Sequence, residues 1–323
     1  MLGCLVFLKK CVQMDLKQKY ETGRFYWSFL LPRYWAIWIC LTILMLFAIL
    51  PWAVQWRVAD ALSKLAWKVL KSRRKTTLRN FELCFPEKSQ QQREAEAKQV
   101  FFNMMIGLFE ALNAWYSPKW YRNRIHIHGL EHISQARETG ILLLGSHTTL
   151  LDAGGYVSSC FFDLDVVYRP QNNPLLDMLI SRSRATIYKN QISKNDMKGL
   201  IGNLKQGRAI WYSPDQDFGL KQGVMAPFFN VQAATVTAHR RLMNISKVPA
   251  IPLFFYRKGD IRNPQYHILL EPRLENFPSR DEVADATKVN LIIENQISMY
   301  PTQYMWFHRR FKTRALGEAA LYS

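Results

Sequence analysis

His147 stands two residues past the glycine that closes an apolar run, in "ILLLGSHTTLLDAGG", and Asp152 follows five positions later. The run Ile141–Leu144 reads as a buried strand, and Gly145 with Ser146 punctuates its end. Open α/β sheets bind ligands just beyond the carboxyl ends of their strands. In one continuous helix, residues five apart sit about 140° apart and would not face each other. If His147 lies in the loop and Thr148 or Thr149 caps a new helix, the imidazole can fold back onto the Asp152 carboxylate. That carboxylate would fix the tautomer and stabilise the imidazolium, while the other ring nitrogen takes a proton from substrate. A structural histidine after a strand is the plain alternative. No serine of the G-x-S-x-G type occurs, so the reacting hydroxyl is expected to come from substrate.

Two further blocks follow other strands. "VVYRPQNNP" puts Tyr168 and Arg169 at a strand end and Asn173 at the entry to a helix. Arg169 could hold a phosphate or a developing oxyanion through its forked donors, or form a surface ion pair. "WYSPDQDFG" sets Asp215 and Asp217 two positions apart on a loop. Such a pair can orient Arg169, bind a metal or cap a helix, and the orienting role is preferred.

The elements that must position these blocks are legible from about residue 124 onward. Short apolar runs ("GILLLG", "DLDVVYR", "ATIYK", "RAIWYSP", "VPAIPLFFYRK", "QYHILLEP") alternate with helical segments, the last being "RDEVADATKVNLIIENQISMY". This predicts an α/β fold, a mixed, largely parallel sheet flanked by helices, with "KGDIRNP" as a hairpin connection. Upstream, "RVADALSKLAWKVLKSRRKTTLRN" (57–80) reads as a basic amphipathic helix suited to lying on a surface. A long helical stretch over 85–118 follows, apolar in its second half. The stretch Tyr34–Trp56 holds no charged residue, and about 20 apolar residues span a bilayer, so a transmembrane anchor is expected there. Basic residues are denser after it than before it, which orients the large C-terminal part to the cytoplasmic side. The expected organisation is a basic extension (1–33), an anchor (34–56), helices (57–123) and a catalytic core (124–323), with 57–323 as one domain.

With 43 Lys and Arg against 25 Asp and Glu, the net charge is +18, which calls for a negatively charged partner. Five scattered cysteines without a C-x-x-C pattern exclude a disulfide framework and fit a reducing compartment. No His/Cys cluster has zinc-like spacing.

Taken together, "GSHTTLLD", "YRPQNNP", "WYSPDQDFG" and "QYMWFHRRFKTR", with "PRYWAIW" and "RNFELCFPE", resemble the late acyltransferases of lipid A biosynthesis, and most closely their Kdo-dependent lauroyl branch. The broader likeness is to glycerolipid-type acyltransferases with the H-x-x-x-x-D/E motif and a lysophospholipid-acyltransferase-like fold. The resemblance implies an inner-membrane enzyme with its active site on the cytoplasmic side. It would move a lauroyl- or myristoyl-class chain from acyl carrier protein to a hydroxyacyl chain of a Kdo-bearing lipid A precursor, in lipopolysaccharide biosynthesis. It implies His147 as general base and Asp152 as its partner, with no metal or redox cofactor and no nucleic-acid partner. Tyr168, Arg169, Asn173, Asp215 and Asp217 become substrate-binding candidates, as do Arg309 and Arg310 of the basic tail, whose plain alternative is a solvated edge. Asp152 stands where the lauroyl enzymes often carry Glu, and Gln216 where they carry His. Gln216 cannot titrate, which argues against an essential histidine in that block. "AIPLFFY" or the Phe101–Leu112 helix could line an acyl groove. An acyltransferase acting on lysophosphatidate or glycerol 3-phosphate is the alternative, and a non-catalytic basic membrane or nucleic-acid binder is a more distant one.

Overall fold

The computed structural model describes residues 23–134 and 139–322. Helix α1 (Trp35–Ala48) is followed by α2 (Trp52–Val69), α3 (Lys71–Cys84) and the long α4 (Gln90–Tyr116). The remainder alternates: β1 (Ile125–His128), α5 (Leu130–Ser134), β2 (Ile141–Leu144), α6 (Leu151–Ser159), β3 (Leu164–Tyr168), α7 (Pro174–Arg184), β4 (Gln191–Ser193), α8 (Met197–Lys205) and β5 (Ala209–Tyr212). Then come the hairpin β6 (Gly223–Phe228) and β7 (Val231–Val236), α9 (Ala238–Ser246), β8 (Ala250–Lys258), β9 (Gln265–Leu270) and α10 (Glu282–Met299).

Seven strands form one sheet in the order β1-β9-β8-β2-β5-β3-β4. All neighbouring pairs are parallel except β8–β9, the expected hairpin. Strand side chains alternate between faces, and β2 shows the result. Ile141 and Leu143 pack with Leu164, Trp211, Ile251 and Phe255 in one apolar layer. Leu142 and Leu144 pack with Leu200, Ile210, Leu242 and Ile293 in the other. A strand buried on both faces explains the unbroken apolar run in its sequence.

Sequence patterning misplaces several elements. "ATIYK" is a turn, and the strand comes later, at Gln191–Ser193. The β6–β7 hairpin was not anticipated; Phe229 and Asn230 both take positive φ at its two-residue turn. The single amphipathic helix expected over 57–80 is two helices, broken at Leu70 (φ −84°, ψ 56°). The long helix begins at Gln90, where Ser89 and Gln92 form a capping box.

The largest correction concerns residues 34–56. The helix there has 14 residues, about 21 Å long against the roughly 30 Å of a bilayer core. Pro51 ends the apolar run and begins the next helix. The buried Gln55 amide donates to the carbonyls of Ala48 (2.7 Å) and Leu50 (2.8 Å), which satisfies the freed end of α1. Gln55 in turn accepts from Asn113 of α4 at 3.0 Å, tying the break into the helical layer. Among the described residues no helix is long and apolar enough to cross a membrane. The transmembrane anchor, the single-pass inner-membrane placement and the cytoplasmic orientation read from its flanks therefore do not hold. Residues 1–22 of the expected basic extension, with Cys4 and Cys11, lie outside the described residues.

Helix α4 covers the sheet beside the loop that carries His147. Its Glu110 is fully buried and accepts from Arg257 (2.6 Å) and from the Tyr266 hydroxyl (2.9 Å). Arg257 also reaches Asn103 of the same helix. Gln303 brackets the Arg257 backbone, accepting from its N–H at 2.8 Å and donating to its C=O at 2.7 Å. Both of the Glu110 bonds fall on Oε1; Oε2 is buried without a hydrogen-bond partner among the described residues.

Candidate active site

β2 and β5 lie side by side and parallel, with Leu144 opposite Tyr212 at their carboxyl ends. The two chains leave the sheet together, so the loop after β2 (His147) meets the loop after β5 (Asp215). The His147 Nδ1 lies 2.6 Å from Asp215 Oδ1, and the His147 backbone N–H donates to Asp215 Oδ2 at 2.9 Å. Asp215 is 1% exposed, while the His147 side chain keeps 25% of its surface. Nδ1 thus carries the proton toward the carboxylate, and Nε2 is left as the basic edge.

The electrostatics follow from this contact. Burial would by itself lower the His147 pKa, and the Asp215 carboxylate outweighs it, so the net position is raised. Burial pushes Asp215 up, but the imidazole, the His147 backbone N–H and the Tyr304 hydroxyl together hold its carboxyl well below the usual carboxylate range.

The loop itself is pinned from three sides. Met305 N–H donates to the His147 carbonyl at 3.0 Å, and Thr149 N–H donates to the Gln303 carbonyl at 2.8 Å. Gly145 lacks a side chain because a Cβ there would meet Trp211 Nε1 at 2.6 Å and the Leu253 carbonyl oxygen at 2.9 Å. On the helical side, a Cβ on Gly107 of α4 would lie 2.2 Å from the Thr149 carbonyl oxygen.

The expected His147–Asp152 contact is not made. Asp152 sits in the first turn of α6 and receives a bidentate pair from Arg184, at the last turn of α7, at 2.7 and 3.1 Å. His147 stays in the loop before α6, and the first turn of that helix presents the Asp152 carboxylate to Arg184 instead. Nor does Asp215 orient Arg169; it serves the histidine. Asp217 accepts from Gly219 N–H (2.9 Å), Thr313 N–H (2.6 Å) and Thr313 Oγ1 (2.7 Å), which fastens the tail to the loop.

A cleft of about 350 Å³ opens at His147. Polar groups at its wall include Tyr168, Arg169, Arg184, Lys194 and Gln216; its apolar part includes Leu151, Val166, Val167, Met197, Leu200 and Leu242. The "AIPLFFY" strand and the Phe101–Leu112 helix, proposed from sequence as an acyl groove, are not in that wall. Arg169 is exposed and makes no ion pair among the described residues. Asn173 caps α7, accepting from Leu175 N–H (3.0 Å) and Leu176 N–H (3.3 Å). Arg309 is exposed, at a groove it shares with Lys71, Lys75, Arg79 and Arg93. Arg310 is 1% exposed and occupied by the Ala234 carbonyl (2.6 Å), Thr235 Oγ1 (2.9 Å) and Asn290 Oδ1 (3.1 Å), so its guanidinium braces the β6–β7 hairpin against α10. Arg184 and Tyr304 were missed from sequence. Tyr304 lies in the "QYMWFHRRFKTR" block, where only the basic residues were singled out, and Arg184 lies in no quoted block.

A histidine held on a buried carboxylate at a strand end, opening on a cleft with an apolar wall and a guanidinium in no ion pair among the described residues, can chemically serve as a general base toward a hydroxyl. The chain matches the bacterial lipid A biosynthesis acyltransferase family over residues 23–313 and belongs to it; it is an acyltransferase. Among its relatives, a lipid A biosynthesis lauroyltransferase of Escherichia coli (strain K12) is 38% identical over 93% of this chain and 98% of its own length. A lipid A biosynthesis palmitoleoyltransferase of the same strain is 35% identical over 91% and 97%. A lipid A biosynthesis myristoyltransferase is 28% identical over 91% and 92%. A crystal structure of a 1-acyl-sn-glycerophosphate acyltransferase from Thermotoga maritima covers 75% of this chain with a TM-score of 0.36 and 10% identity, too distant to carry an argument.

Proposed function

We propose that this enzyme transfers a lauroyl- or myristoyl-class chain from acyl carrier protein to the hydroxyl of a hydroxyacyl chain on a Kdo-bearing lipid A precursor. The observation that carries the chemistry is the His147 Nδ1–Asp215 contact of 2.6 Å at the head of the cleft. His147 Nε2 takes the acceptor hydroxyl proton as the oxygen attacks the thioester carbonyl. The C–O bond forms, the carbonyl pair moves to oxygen, and the C–S bond then breaks. Sulfur leaves with its electron pair and takes the proton back from Nε2. Asp215 stays ionised throughout and stabilises the imidazolium. Arg169, with no carboxylate among the described residues engaging it, would hold a phosphate of donor or acceptor. The apolar wall takes the acyl chain. A +18 chain draws acidic carrier protein and phosphorylated lipid alike. The family membership and the 38% identity to a lauroyltransferase support the acceptor and the chain class.

The test is acyl transfer by detergent-solubilised protein from lauroyl and myristoyl acyl carrier protein. The Kdo-bearing tetraacyl precursor and lysophosphatidate are offered in parallel. A product one acyl chain heavier on the lipid A precursor, reduced roughly 10²–10⁴-fold in His147→Ala, is expected. Transfer to lysophosphatidate alone would assign the enzyme to glycerolipid synthesis instead.

A further inference from the structure

We propose that His308 is a second catalytic residue of this site, a neutral imidazole that donates a hydrogen bond from Nδ1 to the oxyanion formed at the thioester carbonyl. The proposal rests on the acyl-transfer reading given above. Its ring centroid lies 6.0 Å from that of His147, with the ring planes inclined at 63°. At that separation two imidazoles can flank one tetrahedral carbon, with its attacking oxygen at His147 and its carbonyl oxygen at His308.

The tautomer is set by Gln216. Its amide Nε2 lies 3.1 Å from His308 Nε2, and an amide nitrogen only donates. His308 Nε2 is then the acceptor, and the ring proton resides on Nδ1. Gln216 lines the cleft together with His147, Arg169 and Lys194, and His308 stands directly behind it. Gln216 cannot titrate, and a glutamine here fixes the proton of a histidine that comes from the far end of the chain.

The backbone under His308 is clamped as a positioned group's should be. The fully buried Asn80 of α3 donates to the carbonyls of Trp306 (2.8 Å) and His308 (2.9 Å), and Arg73 donates to the Phe307 carbonyl at 3.1 Å. Burial, and then His147, hold the His308 pKa below the ordinary histidine range, so the ring stays uncharged when His147 becomes imidazolium. Neutral histidine is a competent electrophile in other enzymes for the same reason, since it donates without competing for the proton. No proton leaves His308: it receives the oxyanion as a hydrogen-bond acceptor, and on collapse the sulfur takes its proton from His147.

The experiment compares wild type with His308→Ala, His308→Asn and His308→Gln, with the thermal midpoint of each. An asparagine amide nitrogen falls near the Nδ1 position and a glutamine amide nitrogen near Nε2. Loss of one oxyanion donor predicts a kcat fall of about 10²–10³ in His308→Ala with KM within about twofold. His308→Asn should recover at least about tenfold of that loss, and His308→Gln should not. Nitrogen-15 spectra of the wild-type ring should show the Nδ1–H tautomer. A His308→Ala kcat equal to wild type, equal rates in the Asn and Gln variants, or an Nε2–H tautomer would each overturn the proposal. A wild-type enzyme that transfers nothing to the lipid A precursor would instead sink the parent reading, so the two failures are distinct.

Discussion

At the scale of single residues, the partner of His147 decides how the site titrates. Asp215 raises the imidazole against the opposing effect of burial, and Arg184 lowers it more weakly. A base works only when unprotonated, so activity should fall as pH drops through a His147 pKa that lies above 6.5. Asp215→Asn removes the raising influence and leaves burial, so the acidic limb of kcat/KM should move to lower pH. The same change should cut kcat by roughly 10⁴, because the neutral amide neither holds the tautomer nor stabilises the imidazolium. Asp152→Asn should leave the ring titration near its wild-type position, since Asp152 is engaged with Arg184. Titration of the His147 ring by NMR in both variants measures this. A larger downward shift in Asp152→Asn than in Asp215→Asn would reverse the assignment of the partner.

At the scale of elements, the catalytic loop is only as fixed as the helix that abuts it. Gly107 lets α4 approach the Thr149 carbonyl, and the same loop is tied to Gln303 and Met305 on its other side. Gly107→Ala would gain about 1 kcal/mol of helix propensity in isolation. Here the added methyl must displace backbone, and overpacking of this kind costs about 1–3 kcal/mol. The expected net result is a lower denaturant midpoint together with a reduced kcat, because the shift passes directly to the His147 loop. A variant that is more stable and fully active would show that α4 does not set the loop. The Glu110–Arg257–Gln303 network acts in the same place, fastening α4, β8 and the 301–305 segment into one support.

At the scale of the whole molecule, stability against acid should depend on His239. It is fully buried, stacked on Phe277 at 5.6 Å, and burial pushes its pKa down to about 4. A histidine whose folded pKa is depressed below its unfolded value near 6.5 stabilises fully above pH 6.5. That contribution is lost as pH falls toward 4, because the unfolded chain binds the proton more readily. The difference corresponds to about 3 kcal/mol at the acid end. His239→Phe should therefore flatten the decline in unfolding free energy between pH 6.5 and 4, read from urea melts at each pH. An unchanged slope would place the acid sensitivity elsewhere.

The sequence by itself determined the family and the alternation of strands and helices, and it singled out the histidine at the head of the cleft. These are local properties: apolar runs, glycine punctuation and short polar blocks whose spacing survives in one dimension. It also marked His147, Arg169 and Asp215 as loop residues past strand ends, which is where they lie. Only the tertiary structure decided which carboxylate meets the histidine. Asp152 is five positions away but leaves on a helix, whereas Asp215 is 68 positions away and arrives on the neighbouring strand. Parallel pairing brings strand ends together across a crossover, and no spacing rule within one segment encodes it. The charge-free stretch 34–56 failed for the same reason. Its hydropathy is local, but Pro51 and the capping amide of Gln55, held by Asn113 from α4, turn one expected span into the end of one helix and the start of another.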